Sequence, residues 1–364
     1  MFHGSYRPDD VTLLLKPIQM SFMDDLEKKE SLIQRGERHY SEMLSSEKAP
    51  SSEYQALFQA AHATNRGRLA SNCILLARML VERYGPNVTI VSLARAGTPI
   101  GVIVHRIISQ LLGGESSHYS VSIIRDRGID TVALHAVLSR GHAAKSIAFV
   151  DGWTGKGVIS GELQSAIARF NEENGVAIDS TLNALTDLAG TAVAACTEDY
   201  LISSSILNAT VSGLISRSVL NAAIGTDDFH GCVYFEHLAA HDLSCWFADD
   251  VIHAAQDFLK AGTLVPLLRE DRTVVAERSR FFMTNALETY DIEDINLVKP
   301  GIGEATRALL RRNPKRLLVR NSGDMRVAHL LLLAREKNVP VEQVPNLPYH
   351  AVSIIRSAMH ATRH

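Results

Sequence analysis

Val150-Asp151-Gly152-Trp153-Thr154-Gly155-Lys156-Gly157, the stretch VDGWTGKG, lies between two patterned runs. Ahead of it, Ser146-Ile147-Ala148-Phe149-Val150 is a short apolar run that reads as a buried strand. Behind it, residues 158–170 are amphipathic and read as a helix. The stretch is therefore a strand-to-helix turn, where backbone amides and a helix N-terminus can hold a phosphate. It is not a Walker loop. Gly152 and Gly155 are too close together, and Gly157 stands where the magnesium-binding hydroxyl belongs.

Two readings of the turn stay open. In one, the glycines answer backbone needs alone. In the other, the loop holds a ribose phosphate: the Asp151 carboxylate accepts from ribose hydroxyls, Thr154, Gly155, Lys156 and Gly157 cradle the 5′-phosphate, and Gly152 and Trp153 line the same substrate site, Trp153 stacking on a base or packing. A second loop favours the latter. Residues 88–93 form a β-branched run, followed by Ala94-Arg95-Ala96-Gly97-Thr98-Pro99 and then a helical run at 100–112. Small residues there let backbone approach a pyrophosphate, and Arg95 is placed to neutralise charge on its departure. Arg125 and Arg127, on the polar turn after the run 118–124, are candidates to close over the same group.

Outward from these loops, apolar runs at 118–124, 183–186 and 191–195 alternate with helical patterns at 65–84, 131–138 and 158–170. Alternation of this kind implies an α/β fold with a mostly parallel sheet covered on both faces. Residues 1–62 are polar and irregular, with helical pieces near 25–44. Stretches 203–220 and 227–250 have no clear period. An acidic connector at 290–294 is the expected boundary between a first domain, 1–294, and a second, 295–364. In the second, the pattern predicts helix 303–312, strand 316–320, helix 325–337, strand 340–344 and a helix from His350.

The net charge of −3 is unevenly spread. From Asn296 onward there are 12 Lys and Arg against 4 Asp and Glu, a net of +8, which leaves −11 on the rest. A cationic module on an acidic body suits a polyanion, RNA above all. No apolar run approaches the roughly 20 residues of a membrane span. The four cysteines, Cys73, Cys196, Cys232 and Cys245, form no CxxC pair. Zinc knuckles and a disulfide framework are not indicated, and a reduced, cytoplasmic protein is expected.

The chain resembles a bacterial phosphoribosyltransferase-like family associated with tellurite resistance and stress, also labelled the StiP cysteine proteases. The matching stretches are GSYRPDDVTLLLKPI from Gly4, KKESLIQRGERHYSEML from Lys28, VSLARAGTPIGV from Val91, HYSVSIIRDRGID from His118 and FVDGWTGKGVI from Phe149. EDYLISSSILNATVSGLISRSVLN from Glu198 and DDFHG from Asp227 continue it. The segment GIGEATRALLRRNPKRLLVR from Gly301 is similar to Pelota-type RNA-binding domains. The resemblance implies a type I phosphoribosyltransferase-like, Rossmann-like domain followed by a small α/β RNA-binding domain. It implies transfer of a phosphoribosyl group from a phosphoribosyl pyrophosphate-like donor, with magnesium arriving on the diphosphate. The family's usual pair of adjacent acids is here Asp151-Gly152, a departure that touches the ribose grip. The protease label would instead require a cysteine activated by a histidine. His230 and Cys232 are close in sequence, and Cys196 ends an apolar run and reads as packing. A nucleotide sensor without catalysis is the remaining alternative. Asp227, Asp228 and His230 read as a capping cluster, and no metal site is assigned.

Overall fold

The computed structural model describes residues 1–357; residues 358–364, the end of the second domain in the sequence reading, lie outside them. Along the chain come β1 (Thr12–Leu14), β2 (Lys16–Pro17), α1 (Leu26–Gln34) and the long α2 (Ser52–Tyr84). There follow β3 (Thr89–Ala94), α3 (Thr98–Arg106), β4 (Ser117–Ile124), β5 (Gly128–Ile129), α4 (Thr131–Ser139), β6 (Ile147–Thr154), α5 (Val158–Asn174), β7 (Leu182–Asp187) and β8 (Val193–Cys196). After β9 (Gly231–Cys232) come α6 (Ser244–Ala261) and α7 (Arg272–Thr289). The last elements are β10 (Val298–Pro300), α8 (Ile302–Arg311), β11 (Pro314–Val319), α9 (Ala328–Glu336), β12 (Val341–Gln343) and β13 (Ala351–Ile355).

The main sheet has the order β1-β4-β3-β6-β7-β8, and each of these pairs is parallel. Both faces are covered, as parallel sheets require. Alternate strand residues sort to opposite layers. Ile90, Ala148 and Val150 meet Leu69, Ile103 and Phe247 of α2, α3 and α6. Val91, Ile147 and Phe149 meet Leu134, Leu163 and Phe170 of α4 and α5. A fully buried Phe149 or Phe170 contributes about 1.5–3 kcal/mol over an exposed one. The α/β class read from the alternation is the observed one.

The C-terminal sheet runs β10-β13-β11-β12, antiparallel except for β11 with β12. One face buries Met283 and Ala286 of α7 against Leu318, Val352 and Ile354. The other side joins the body: Ile302, Leu309 and Leu330 share the core that contains Ile100 and Phe247. The helix expected from His350 is strand β13. Val352, Ile354 and Ile355 are β-branched and every residue of β13 is buried, so a central strand is the better home for them. No helix among the described residues is long and apolar enough to cross a membrane.

Candidate functional site: the cleft between sheet and C-terminal module

The central strand β6 carries the sequence VDGWT to the carboxyl end of the sheet, so Asp151 to Thr154 are strand residues and only Gly155 to Gly157 make the turn. Asp151, Trp153 and the turn form one wall of a cavity of about 200 Å³. The facing wall is Lys299 of β10 with Glu304 and Arg307 of α8.

Each residue of the turn has a physical reason for its place. Gly157 has φ +78°, and a Cβ there would lie 2.5 Å from Thr191 Cγ2, so only glycine fits. It is the N-cap of α5 and supplies no side-chain cap, so the first turn of a 17-residue helix opens onto the cavity. At Gly155 a Cβ would stand 3.0 Å from Glu304 Cγ, and at Gly303 one would stand 2.9 Å from Trp153 Cε2. These two glycines let α8 sit directly on the loop. Trp153 donates from Nε1 to Glu304 Oε1 at 3.3 Å, and the Arg307 guanidinium lies 5.3 Å from its ring centroid. Thr154 donates its hydroxyl to Asp187, which also accepts from the amides of Ala189 and Ala192.

The charges in the cleft are poorly compensated. Burial, opposed by the Gly152 amide and Arg307, pushes the Asp151 carboxyl up to about 6. Burial, with Lys299 adding repulsion, brings the Lys156 ammonium down to about 7. Lys299 is lowered for the same first reason. Neither lysine is in an ion pair among the described residues; Lys156 Nζ donates to Ile295 O at 3.1 Å. Glu304 meets Arg307 only at 3.8 Å.

Gly152 points to the opposite layer, where a Cβ would face Ile100 and Ile202 at 3.8 and 4.0 Å. A second acid there would enter the apolar core and not the cavity, because neighbouring strand residues alternate faces. Ala96 reaches the cleft, but the rest of its loop is closed. Arg95 is buried against Glu47 at 2.5 Å and donates to Ile215 O at 2.9 Å. The amides of Gly97 and Thr98 donate back to Leu93 O and Arg95 O, and the Thr98 hydroxyl is bonded to Ser120. Ala94 joins Arg95 through a cis peptide. Arg125 lines the cavity, whereas Arg127 pairs with Glu42 at 3.1 Å away from it. Lys299, Glu304 and Arg307 were absent from the sequence-based site. Only the unusual Gly301-Ile302-Gly303-Glu304 opening hinted at them, and nothing in it names Trp153 as the partner.

The cysteines are separate from this cleft. Cys73, Cys196 and Cys232 are fully buried. Burial pushes the Cys232 thiol up to about 12 and raises the other two as well. His230 does not serve Cys232: its Nδ1 is bonded to Ser122 Oγ at 2.8 Å. Asp228, in the same stretch, pairs with Lys16 at 2.6 Å. Cys245 differs. It is half-buried in the first turn of α6, and its Sγ donates to Ser5 O at 3.4 Å.

Residues 4–252 match the family described as "Tellurite-like stress resistance cysteine protease StiP". The chain belongs to the StiP family. A relative from Acinetobacter baylyi, named "Cysteine protease StiP", is 39% identical over 98% of this chain and 94% of its own length. Residues 277–357 match the Pelota RNA-binding domain. A solved amino transferase from Eubacterium rectale is 8% identical with a TM-score of 0.23, covering 95% of this chain and 85% of that one; a likeness this low carries no argument. These matches overturn the phosphoribosyltransferase reading, because the StiP model and the relative both name a cysteine protease. The geometry agrees with the correction. Arg95 is neutralised by Glu47, the loop 94–98 spends its amides internally, and Gly152 faces away from the cleft. With the diphosphate goes the reason for expecting magnesium.

Proposed function

We propose that this StiP-family chain is a cysteine protease of tellurite-like stress resistance, with Cys245 as its nucleophile and an RNA-binding C-terminal module. The observation that carries the assignment is the position of Cys245: alone among the four cysteines it is not fully buried. Burial, with the Asp10 and Asp242 carboxylates, raises its thiol above the ordinary value, and Arg7 and Arg106 offset only part of that. The N-terminus of the 18-residue α6 adds a further pull toward thiolate. His3, two residues before the Ser5 carbonyl that Cys245 contacts, has a buried Nδ1 bonded to nothing among the described residues, Cys245 included; we assign it as the base, which requires its ring to turn to the sulfur when substrate binds. In the reaction the base takes the thiol proton and the sulfur attacks a peptide carbonyl. The leaving amine receives the proton, and water then releases the acyl group.

Peptide hydrolysis measured with iodoacetamide mapping tests this. Labelling at Cys245, hydrolysis abolished in Cys245→Ser, a loss of about a hundred-fold in His3→Gln and normal activity in Cys232→Ser are expected. Hydrolysis that survives Cys245→Ser would overturn the assignment. RNA binding draws support from the Pelota match and from the +8 charge beyond residue 295. We take that module to begin with α7, which shares its core.

A further inference from the structure

We infer that the cleft between the β6–α5 turn and α8 is a receptor for the terminal phosphate of an RNA strand delivered by the C-terminal module. The inference rests on the RNA-binding reading of that module and goes beyond it by naming the site and the group held.

Four cations line the cavity, Arg125, Lys156, Lys299 and Arg307, against two acids, Asp151 and Glu304. The excess is not spent on internal ion pairs, since Lys156 and Lys299 have none among the described residues. Two half-buried ammonium groups from two modules face the same cavity and repel one another, an arrangement that an anion between them would relieve. The uncapped first turn of α5 faces the same space, and its amides suit phosphate oxygens.

Size and surroundings narrow the ligand. About 200 Å³ is less than the roughly 300–1,000 Å³ of sites that swallow whole small molecules, so the cavity fits a phosphate and its sugar. Lys299, Glu304 and Arg307 on its facing wall belong to β10 and α8, within the segment that matches an RNA-binding domain. Positive charge continues past Trp153: Arg311, half-buried with its Nε enclosed and unpartnered, lines an adjoining small cavity with Arg95 and Arg307. A strand whose end phosphate sits between Lys156 and Lys299 would place its next phosphate toward Arg307 and Arg311. A monoester is favoured over internal diesters because it carries the extra charge and a free oxygen for each ammonium group.

The test is fluorescence anisotropy of short oligoribonucleotides on the full chain, comparing ends that carry a 5′- or 3′-phosphate with hydroxyl ends. A phosphorylated end is expected to bind about ten-fold tighter, as one added charge-assisted contact gives. Lys156→Gln and Lys299→Gln should each erase that preference by weakening the phosphorylated strand about ten-fold, with an unchanged circular dichroism spectrum as the folding control. Equal binding of both ends by the unaltered chain overturns the site but not the RNA reading. No binding of either at low salt overturns the RNA reading, and the site with it. Adenosine monophosphate bound as tightly as the phosphorylated strand would make the ligand a free nucleotide and overturn the proposal as stated.

Discussion

Asp151 is a carboxylate held in the cleft wall without an ion pair among the described residues; it accepts from the Gly152 amide and feels Arg307 and Glu304 across the gap. Its folded pKa, about 6, exceeds that of an unfolded aspartate, so the folded chain binds the proton more tightly. The sign follows: its contribution to stability is greatest below about pH 4 and is lost as pH rises through 6. Asp151→Asn should therefore stabilise the protein by about 1–3 kcal/mol at pH 7.5, with the gain fading toward pH 4. Denaturant unfolding of both forms across that range measures it, and a gain independent of pH would contradict the account. Lys156 behaves as its complement. Burial first, and repulsion by Lys299 and Arg125 after it, bring its ammonium to about 7 against the pull of Glu304 and Asp294, so anion affinity in the cleft should fall as pH rises above 7. Isothermal titration with inorganic phosphate between pH 6 and 9 reads that trend, and Lys156→Gln should flatten it.

At the scale of elements, α8 is held by the body as much as by its own module. Asp199, beyond β8, accepts from Ile302 N at 2.8 Å and from His350 N at 2.7 Å. One carboxylate thus caps α8 and fixes the entry to β13. Asp199→Ala leaves two interior amides without partners and should cost about 2–3 kcal/mol, read as a lower denaturation midpoint. The Trp153–Gly303 contact is the steric counterpart. Gly303→Val has no room against the indole and should pry α8 from the loop, destabilising by about 1–3 kcal/mol. In a Trp246→Phe background, Trp153 emission should then shift to the red; unchanged emission would mean that the loop and helix separate elsewhere. The opening stretch VDGWTGKG is legible in sequence as a strand-to-helix turn. Half of its glycine logic is not, because Gly155 exists for a helix some 150 residues away.

At the scale of the whole molecule, an acidic body and a basic module meet through a shared core instead of a flexible linker. If RNA end groups enter the cleft, the salt dependence of full-chain affinity should have a log–log slope of about −2 to −3, for roughly three to four neutralised phosphates. A slope near zero, measured by anisotropy from 50 to 300 mM salt, would mean that the positive charge does not face RNA. The parallel sheet was readable because its strands are local, β-branched and separated by amphipathic helices. Assignment failed where tertiary placement overrode local pattern. The segment from His350 reads as a helix start, yet β13 is a strand enclosed by β10 and β11. Cys245 drew no attention in sequence because its neighbours Ser5 and Arg106 come from other segments.

Composition and periodicity determined the class of fold, the two-part charge distribution and the turn after β6, since each depends on residues within a few positions of one another. Tertiary structure alone decided that the turn faces a basic helix of the second module. It also decided that the Arg95 loop is closed by Glu47, that Gly152 faces the core, and that only one thiol is not fully buried. Those outcomes depend on pairs of residues far apart in sequence, and burial and electrostatics act on distance in space, which no linear pattern encodes.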